Sequence, residues 1–290
     1  MTQRETIGPP PRDCIRLALV GDVVGKPGRR IVCDSVNYLR QYWHIDTLVV
    51  NAENVADGSG IRCKDYQRLI DAGVDAITLG DHLYKKREII DVLTSKDNIV
   101  RPANLPSEAP GKDCIIITAR GGVKIAICSL MGRVFMKPID CPFRAADRVL
   151  ATLDSSVRVR LVDFHAEATS DKQLMGRYLD GRVTAVIGTH THVATADEQV
   201  LSGGTGFQCD AGMTGPFDGI LGRKAEAVLE ATLTSLPIPF QVSTGDVRLN
   251  ATWFDAEVAT GKCVGIGRIE LPESLLNQKR TDSNVDLRLL

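Results

Sequence analysis

The stretch IRLALVGD (15–22) sets the pattern of the chain: a short apolar run, then glycine, then a carboxylate. Four more stretches likewise end an apolar run in residues able to bind a metal: TLVVNAEN (47–54), AITLGDH (76–82), VRLVDFH (159–165) and TAVIGTHTH (184–192). Each run is short, rich in β-branched residues and flanked by Gly, Asn or Asp, which predicts a buried strand. Helix-like segments separate them at 29–41, 64–73, 85–96, 143–153 and 170–182. Such alternation implies an α/β layered fold. In open α/β sheets ligands bind at the carboxyl edge of the strands. There the five runs deliver Asp22, then Glu53 and Asn54, then Asp81 and His82, then His165, and finally His190 and His192.

Outward from these motifs the chain changes character. The last third offers hairpin-like strands around GGTG (203–206), a helix at KAEAVLEATL (224–233), and strands near FQVS, ATWFDAEV and GIGRIEL, suggesting a mixed sheet. With no repeat or low-complexity linker, we expect one domain over 14–275. A disordered leader is expected at 1–13 and a flexible tail at 276–290. The chain has 290 residues, 43% hydrophobic and 24% charged, and a formal net charge of −1. That charge implies no general attraction to nucleic acid or anionic membranes. No apolar run reaches 18 residues, the length expected of a membrane span. The first residues lack the apolar core of a secretory signal. A cytoplasmic location is the expectation. The eight cysteines form no C-x-x-C pair and read as reduced core thiols.

Each candidate residue has an unremarkable reading as well. Asp22 could be a turn residue, Asp81 a helix cap, and Glu53 a solvated charge. Of five histidines, however, four lie at these strand ends and only His44 does not. Their convergence with carboxylates across five elements points to metal ligation. His190 and His192, two apart on an extended backbone, would face the same way. Oxygen and nitrogen donors without thiolates suit manganese, iron or zinc, while three histidines disfavour a pure magnesium or calcium site. Seven ligands exceed one tetrahedral site and suit two metals sharing a carboxylate, a known clamp for displacement at phosphorus. GDVVGKPGRR (21–30) fails the nucleotide-binding pattern, since Pro27 follows Lys26. Gly25, Pro27 and Gly28 are expected to shape a turn before a helix at Arg29. A G-x-S-x-G nucleophile motif is absent.

Taken together, GDVVGKPGR (21–29), NAEN (51–54), GVDAITLGDH (73–82), RPAN (101–104), DFHAEATS (163–170), GTHTHVATAD (188–197) and DAGMTGPFDGILG (210–222) resemble the YmdB-like metallophosphoesterases, a branch of the calcineurin-like superfamily. The likeness spans nearly all of 14–270. It implies two packed mixed β-sheets flanked by helices and a dinuclear centre, with iron or manganese preferred and zinc an alternative. By motif, Asp22, Glu53, Asn54 and His192 would serve one metal. Asp81, His165 and His190 would serve the other, with Glu53 bridging. His82 matches the catalytic histidine. The expected substrates are small phosphodiesters, cyclic nucleotides in particular. An activated water would attack phosphorus, and His82 would protonate the leaving oxygen. A homo-oligomer is compatible with the resemblance; a membrane or stable nucleic-acid partner is not expected. Gly80-Asp81-His82 departs from the usual G-N-H, which alters the charge of the site. Rival readings are a phosphomonoesterase on the same scaffold and a metal-binding regulatory protein with little turnover. Asp163, Thr189 and Thr191 are candidates to orient the histidines, and Asn104 and Arg133 to contact substrate.

Overall fold

The computed structural model describes residues 7–278. The first half alternates β1 (Cys14–Val20), α1 (Gly25–Tyr42), β2 (Thr47–Asn51), α2 (Cys63–Asp71), β3 (Ala76–Thr78), α3 (Ile89–Ser95) and β4 (Ile99–Val100). Then come β5 (Cys114–Thr118), β6 (Lys124–Met131), α4 (Pro142–Thr152), β7 (Val159–His165), α5 (Thr169–Tyr178), β8 (Ala185–Thr189), β9 (Gln199–Val200) and β10 (Gly206–Gln208). The chain closes with β11 (Gly215–Pro216), α6 (Ala225–Thr234), β12 (Val247–Glu257) and β13 (Cys263–Pro272).

These strands form two sheets. One is ordered β11-β12-β1-β2-β3-β4 with β13 on β12, the other β5-β6-β7-β8-β10-β9. Both are mixed: β1 is parallel to β2 and antiparallel to β12, while β6 is parallel to β7 and antiparallel to β5. Successive strand residues face opposite ways, and β1 shows the consequence. Leu17 and Leu19 pack between the sheets with Val49, Ile127, Leu161 and Ile187. Ala18 and Val20 pack outward against Ile31 and Leu39 of α1. Across the second sheet, Leu130, Val162 and Phe164 meet Ala145, Val149 and Met175 of α4 and α5. The result is a helix–sheet–sheet–helix sandwich, the architecture the resemblance implied. Each fully buried Leu, Ile or Val contributes about 1.5–3 kcal/mol.

Several expectations need correction. The first helix starts at Gly25, four residues before the expected turn gives way at Arg29. Proline is tolerated in a first helical turn, where its missing N–H has no partner to lose. Position 28, inside that helix, takes glycine because a Cβ there would collide with Thr214 O. The third helix begins at Ile89 rather than 85, because Lys85 N bonds His82 O and Ile89 N bonds Lys86 O in consecutive turns. FQVS makes only an isolated bridge, Arg223 to Val242, whereas the apolar runs CIIIT and KIAICSL are strands β5 and β6.

The packed chain also passes both expected boundaries. In the leader, Ile7 N donates to Tyr42 O and Gly8 O accepts from the buried Arg16. In the tail, Leu276 is buried in the core under the first sheet. Residues 1–6 and 279–290 lie outside the described residues. Among the described residues, no helix is long and apolar enough to cross a membrane.

Candidate metal centre

All five strand ends reach one edge of the sandwich. Asp22 follows β1, Glu53 and Asn54 follow β2, Asp81 and His82 follow β3, His165 ends β7, and His190 and His192 follow β8. Asp22, Glu53 and His165 are completely buried. Gly80 permits the convergence: a Cβ there would collide with His165 Nε2 and Glu53 Oε2.

The outer partners of His165 fix its tautomer. Thr189 Oγ1 donates to Asp163 Oδ1 at 2.6 Å, so it must accept from His165 Nδ1, 2.9 Å away. Asp163 is held in turn by Thr78 Oγ1 at 2.5 Å and Asn51 Nδ2 at 2.9 Å. With its proton on Nδ1, neutral His165 presents a lone pair at Nε2. That atom lies 3.0 Å from His190 Nδ1, 3.2 Å from Asp81 Oδ1 and 3.4 Å from Glu53 Oε1. His190 Nε2 faces Glu167 Oε2 at 3.2 Å, which favours a proton there and a lone pair on Nδ1. One ligand atom from each of Glu53, Asp81, His165 and His190 therefore falls within 4.8 Å of the others. Four electron-rich atoms gathered without a shared donor make a place suited to a cation. Without a metal, a proton on His165 fills that role. Burial opposes its charge, but Glu53, Asp81 and Asp22 outweigh burial and hold the pKa well above the ordinary value. Burial, then the neighbouring His165, pushes His190 down to about 4. The residues fit a divalent metal, with donors of the borderline type.

Asp22, Asn54 and His192 form the adjoining side. Asp22 Oδ2 accepts from His190 N at 2.9 Å, while buried Oδ1 has no hydrogen-bond partner. Burial pushes the Asp22 carboxyl up to about 8. His192 Nε2 lies 3.9 Å from Asp22 Oδ1 and 3.3 Å from Asn54 Nδ2, and its buried Nδ1 is unpartnered. Asn54 turns its Nδ2 to Glu53 Oε1 at 3.0 Å and its Oδ1 to His82 Nδ1 at 2.8 Å. Ligation through Oδ1 would require rotation of this amide. An orphaned carboxylate oxygen beside an imidazole lone pair is again a place for a cation.

His82 stands beside both groups and is about one-third exposed, 32% by side chain. Its Nδ1 faces two acceptors, Asn54 Oδ1 at 2.8 Å and Glu53 Oε1 at 3.1 Å, so Nδ1 carries a proton. The hydrogen bond to Glu53 raises its pKa. Nε2 remains 3.8 Å from Asp81 Oδ2, outside hydrogen-bond range.

The two histidines of THTH do not share an extended backbone. His190 has φ 97° and His192 φ 66°, both left-handed, a conformation uncommon for side-chain-bearing residues. The loop turns so that His190 meets His165 while His192 meets Asp22. Asp210 holds it there. Its Oδ2 accepts from Thr191 N at 3.1 Å, Thr191 Oγ1 at 2.7 Å and Lys172 Nζ at 2.6 Å, and its Oδ1 accepts from Gly212 N at 2.8 Å. Thr191 thus anchors the loop instead of orienting an imidazole, whereas Thr189 and Asp163 do orient His165. Asn104 is structural, clamping Met131 N, Met131 O and Asp140 O. Arg133 gives its backbone N–H to Asp171. Sequence reading missed Glu167, Lys172 and Asp210 as site residues. Asp210 opens a quoted motif, but nothing local reveals that its carboxylate reaches Thr191.

Known proteins share this fold. The family model described as "YmdB-like protein" matches residues 18–269. The chain belongs to the YmdB-like family. This YmdB-like chain is 44% identical over 255 residues to the 2',3'-cyclic-nucleotide 2'-phosphodiesterase of Bacillus subtilis (strain 168), covering 88% of this chain and 96% of that one. A solved structure from Thermus thermophilus, described as a hypothetical protein, superposes with a TM-score of 0.84 at 40% identity, covering 89% of this chain and 99% of that one. A Mycoplasma pneumoniae structure described as a novel phosphatase has a TM-score of 0.84 at 32% identity, with 89% and 94% covered. Family and ligand cluster together make this protein a metal-dependent hydrolase of the metallophosphoesterase class.

Proposed function

We propose that this protein hydrolyses small phosphodiesters, cyclic nucleotides in particular, using two divalent metals. Iron or manganese is preferred, with zinc as an alternative. The observation that carries the reading is the division of seven ligand residues into adjoining groups that meet at Glu53. Its Oε1 lies 3.0 Å from Asn54 Nδ2 and 3.4 Å from His165 Nε2. Asp22, Asn54 and His192 would hold one metal; Asp81, His165 and His190 would hold the other, with Glu53 serving both. Bound metals would lower the pKa of water and polarise the phosphoryl oxygens.

The chain's own residues do the rest. Thr189, Asp163 and Glu167 keep imidazole lone pairs aimed inward. Glu53 and Asn54 hold the Nδ1 proton of His82, leaving Nε2 to give a second proton to the departing ribose oxygen. General acid catalysis of this kind contributes roughly 10²–10⁴-fold. A cavity of about 260 Å³ beside His192, walled by Val193, Met213, Phe217 and Leu221, suits the planar base of a nucleotide. The eight free cysteines support a reducing compartment such as the cytoplasm.

The test is substrate profiling of the manganese- or iron-loaded protein on 2',3'-cyclic nucleotides, nucleoside monophosphates and an aryl phosphodiester. Preference for the cyclic diester is expected. Turnover of monoesters alone would replace this reading with a phosphatase, the activity named for the Mycoplasma pneumoniae structure.

A further inference from the structure

At the opposite edge of the second sheet lies a pocket that the metal centre does not use. It is formed where β7 and β8 begin and where the turn from β12 to β13 comes over them, and its volume is about 210 Å³. Arg158, Arg160, Arg182 and Lys262 line it together with Thr260 and Gly181. Four cations surround a space with no carboxylate in its wall. Arg182 alone is neutralised, by Asp147 at 2.5 Å. Among the described residues, Arg158, Arg160 and Lys262 have no acidic partner. Arg160 is half-buried and braced by backbone oxygens: Nε donates to Val157 O at 2.9 Å and Nη1 to Arg182 O at 3.2 Å. The guanidinium is thereby fixed without being discharged. Acids on the same loops are turned elsewhere. Asp180 accepts from Gly203 N and Thr205 N, and Glu257 accepts from the Thr260 hydroxyl.

We propose that this pocket is a second anion site that takes a small phosphate-bearing ligand. Unpaired like charges gathered around a cavity repel one another unless a counter-charge enters. Planar guanidinium groups match phosphate oxygens in geometry as well as charge. In a chain of net charge −1, this concentration of bases is a local feature and not part of a general basic surface. The site is remote from the metals. Arg160 and His165 lie near opposite ends of β7, about 16 Å apart at strand rise. The inference therefore does not rest on the proposed reaction.

The experiment compares the metal-loaded protein with an Arg158→Glu/Lys262→Glu variant, both positions being exposed. Inorganic phosphate is titrated by calorimetry, and its inhibition of turnover is measured in parallel to report the metal centre separately. The wild type should bind one phosphate more per chain than the variant, or bind it at least tenfold more tightly at one of two sites. Circular dichroism, turnover and the inhibition constant should be unchanged in the variant. Arg160→Gln should give the same loss. Repeating the titration with adenosine monophosphate separates the sources: tighter binding than phosphate marks a site for a phosphorylated metabolite, and equal binding marks one for the free oxyanion. Equal stoichiometry and affinity in wild type and variant would overturn the proposal.

Discussion

His165 and His192 offer the same imidazole to the same edge of the sandwich, under opposite conditions. The outer nitrogen of His165 is held by Thr189, which is held by Asp163, which is held by Thr78 and Asn51. The outer nitrogen of His192 is buried without a partner, and so is Oδ1 of Asp22 beside it. The first side is organised before any metal arrives, with a proton standing in for it. The second carries unsatisfied polar atoms that a cation would satisfy, at a standing cost in its absence. Metal loading should accordingly favour the His165 side in affinity and return more stability on the His192 side.

Glu53→Ala strikes the residue common to both sides and should have the largest effect. Metal analysis should find both sites depleted and turnover at background. Two metals retained per chain would remove Glu53 from its bridging place. Next in size is His82→Ala, which should keep the metals and lose roughly 10²–10⁴-fold on a cyclic nucleotide. The loss should shrink on a nitrophenyl ester, whose leaving group needs little protonation. Equal losses on both substrates would argue against proton donation.

The difference between the sides is sharpened by changing outer partners. Thr189→Val leaves His165 Nδ1 without an acceptor, and should weaken metal binding on that side by about 10–100-fold. Glu167→Gln should cost less, because its carboxylate is half-exposed, 48% by side chain. Competition with a metal-sensitive dye measures both. Asp81→Asn should act in two directions. Three carboxylates and one hydroxide would cancel two divalent ions, and asparagine would restore a positive charge. Weaker metal retention, a lower KM for anionic diesters and a rising pH limb at lower pH are expected at saturating metal. No change in all three would remove Asp81 from the ligand set.

A last effect, read in stability and not in turnover, concerns the His192 side without metal. Burial raises the Asp22 carboxyl from 3.8 to about 8. The folded state therefore binds a proton that the unfolded state has released, and stability falls as pH rises from about 4 through 8. Asp22→Asn should flatten that fall in the chelated protein, read as Tm against pH. Metal should reverse the ranking of the two proteins at pH 8. An identical Tm–pH slope in both chelated proteins would mean that Asp22 is not the strained group.

The five strands and the seven candidate ligands were legible because both signals are local. A short β-branched run predicts a buried strand, and the residue after it must lie at the sheet edge. Alternation along β1 even separates Leu17 and Leu19 from Ala18 and Val20. What the sequence could not reveal depends on segments that meet only after folding. Asn51 reaches Asp163 across 112 positions, and Asp210 reaches back to both Lys172 and Thr191 from a different strand end. Those contacts decide that His190 and His192 take left-handed backbone angles instead of an extended one, and so face different partners. Gly28 inside helix α1 likewise answers to Thr214, far along the chain, whose carbonyl oxygen leaves no room for a side chain there. Composition and periodicity determined which chemistry arrives at the edge. Docking of the two sheets decided which atom of each residue points inward, because hydrogen-bond partners distant in sequence select tautomer, rotamer and backbone angle.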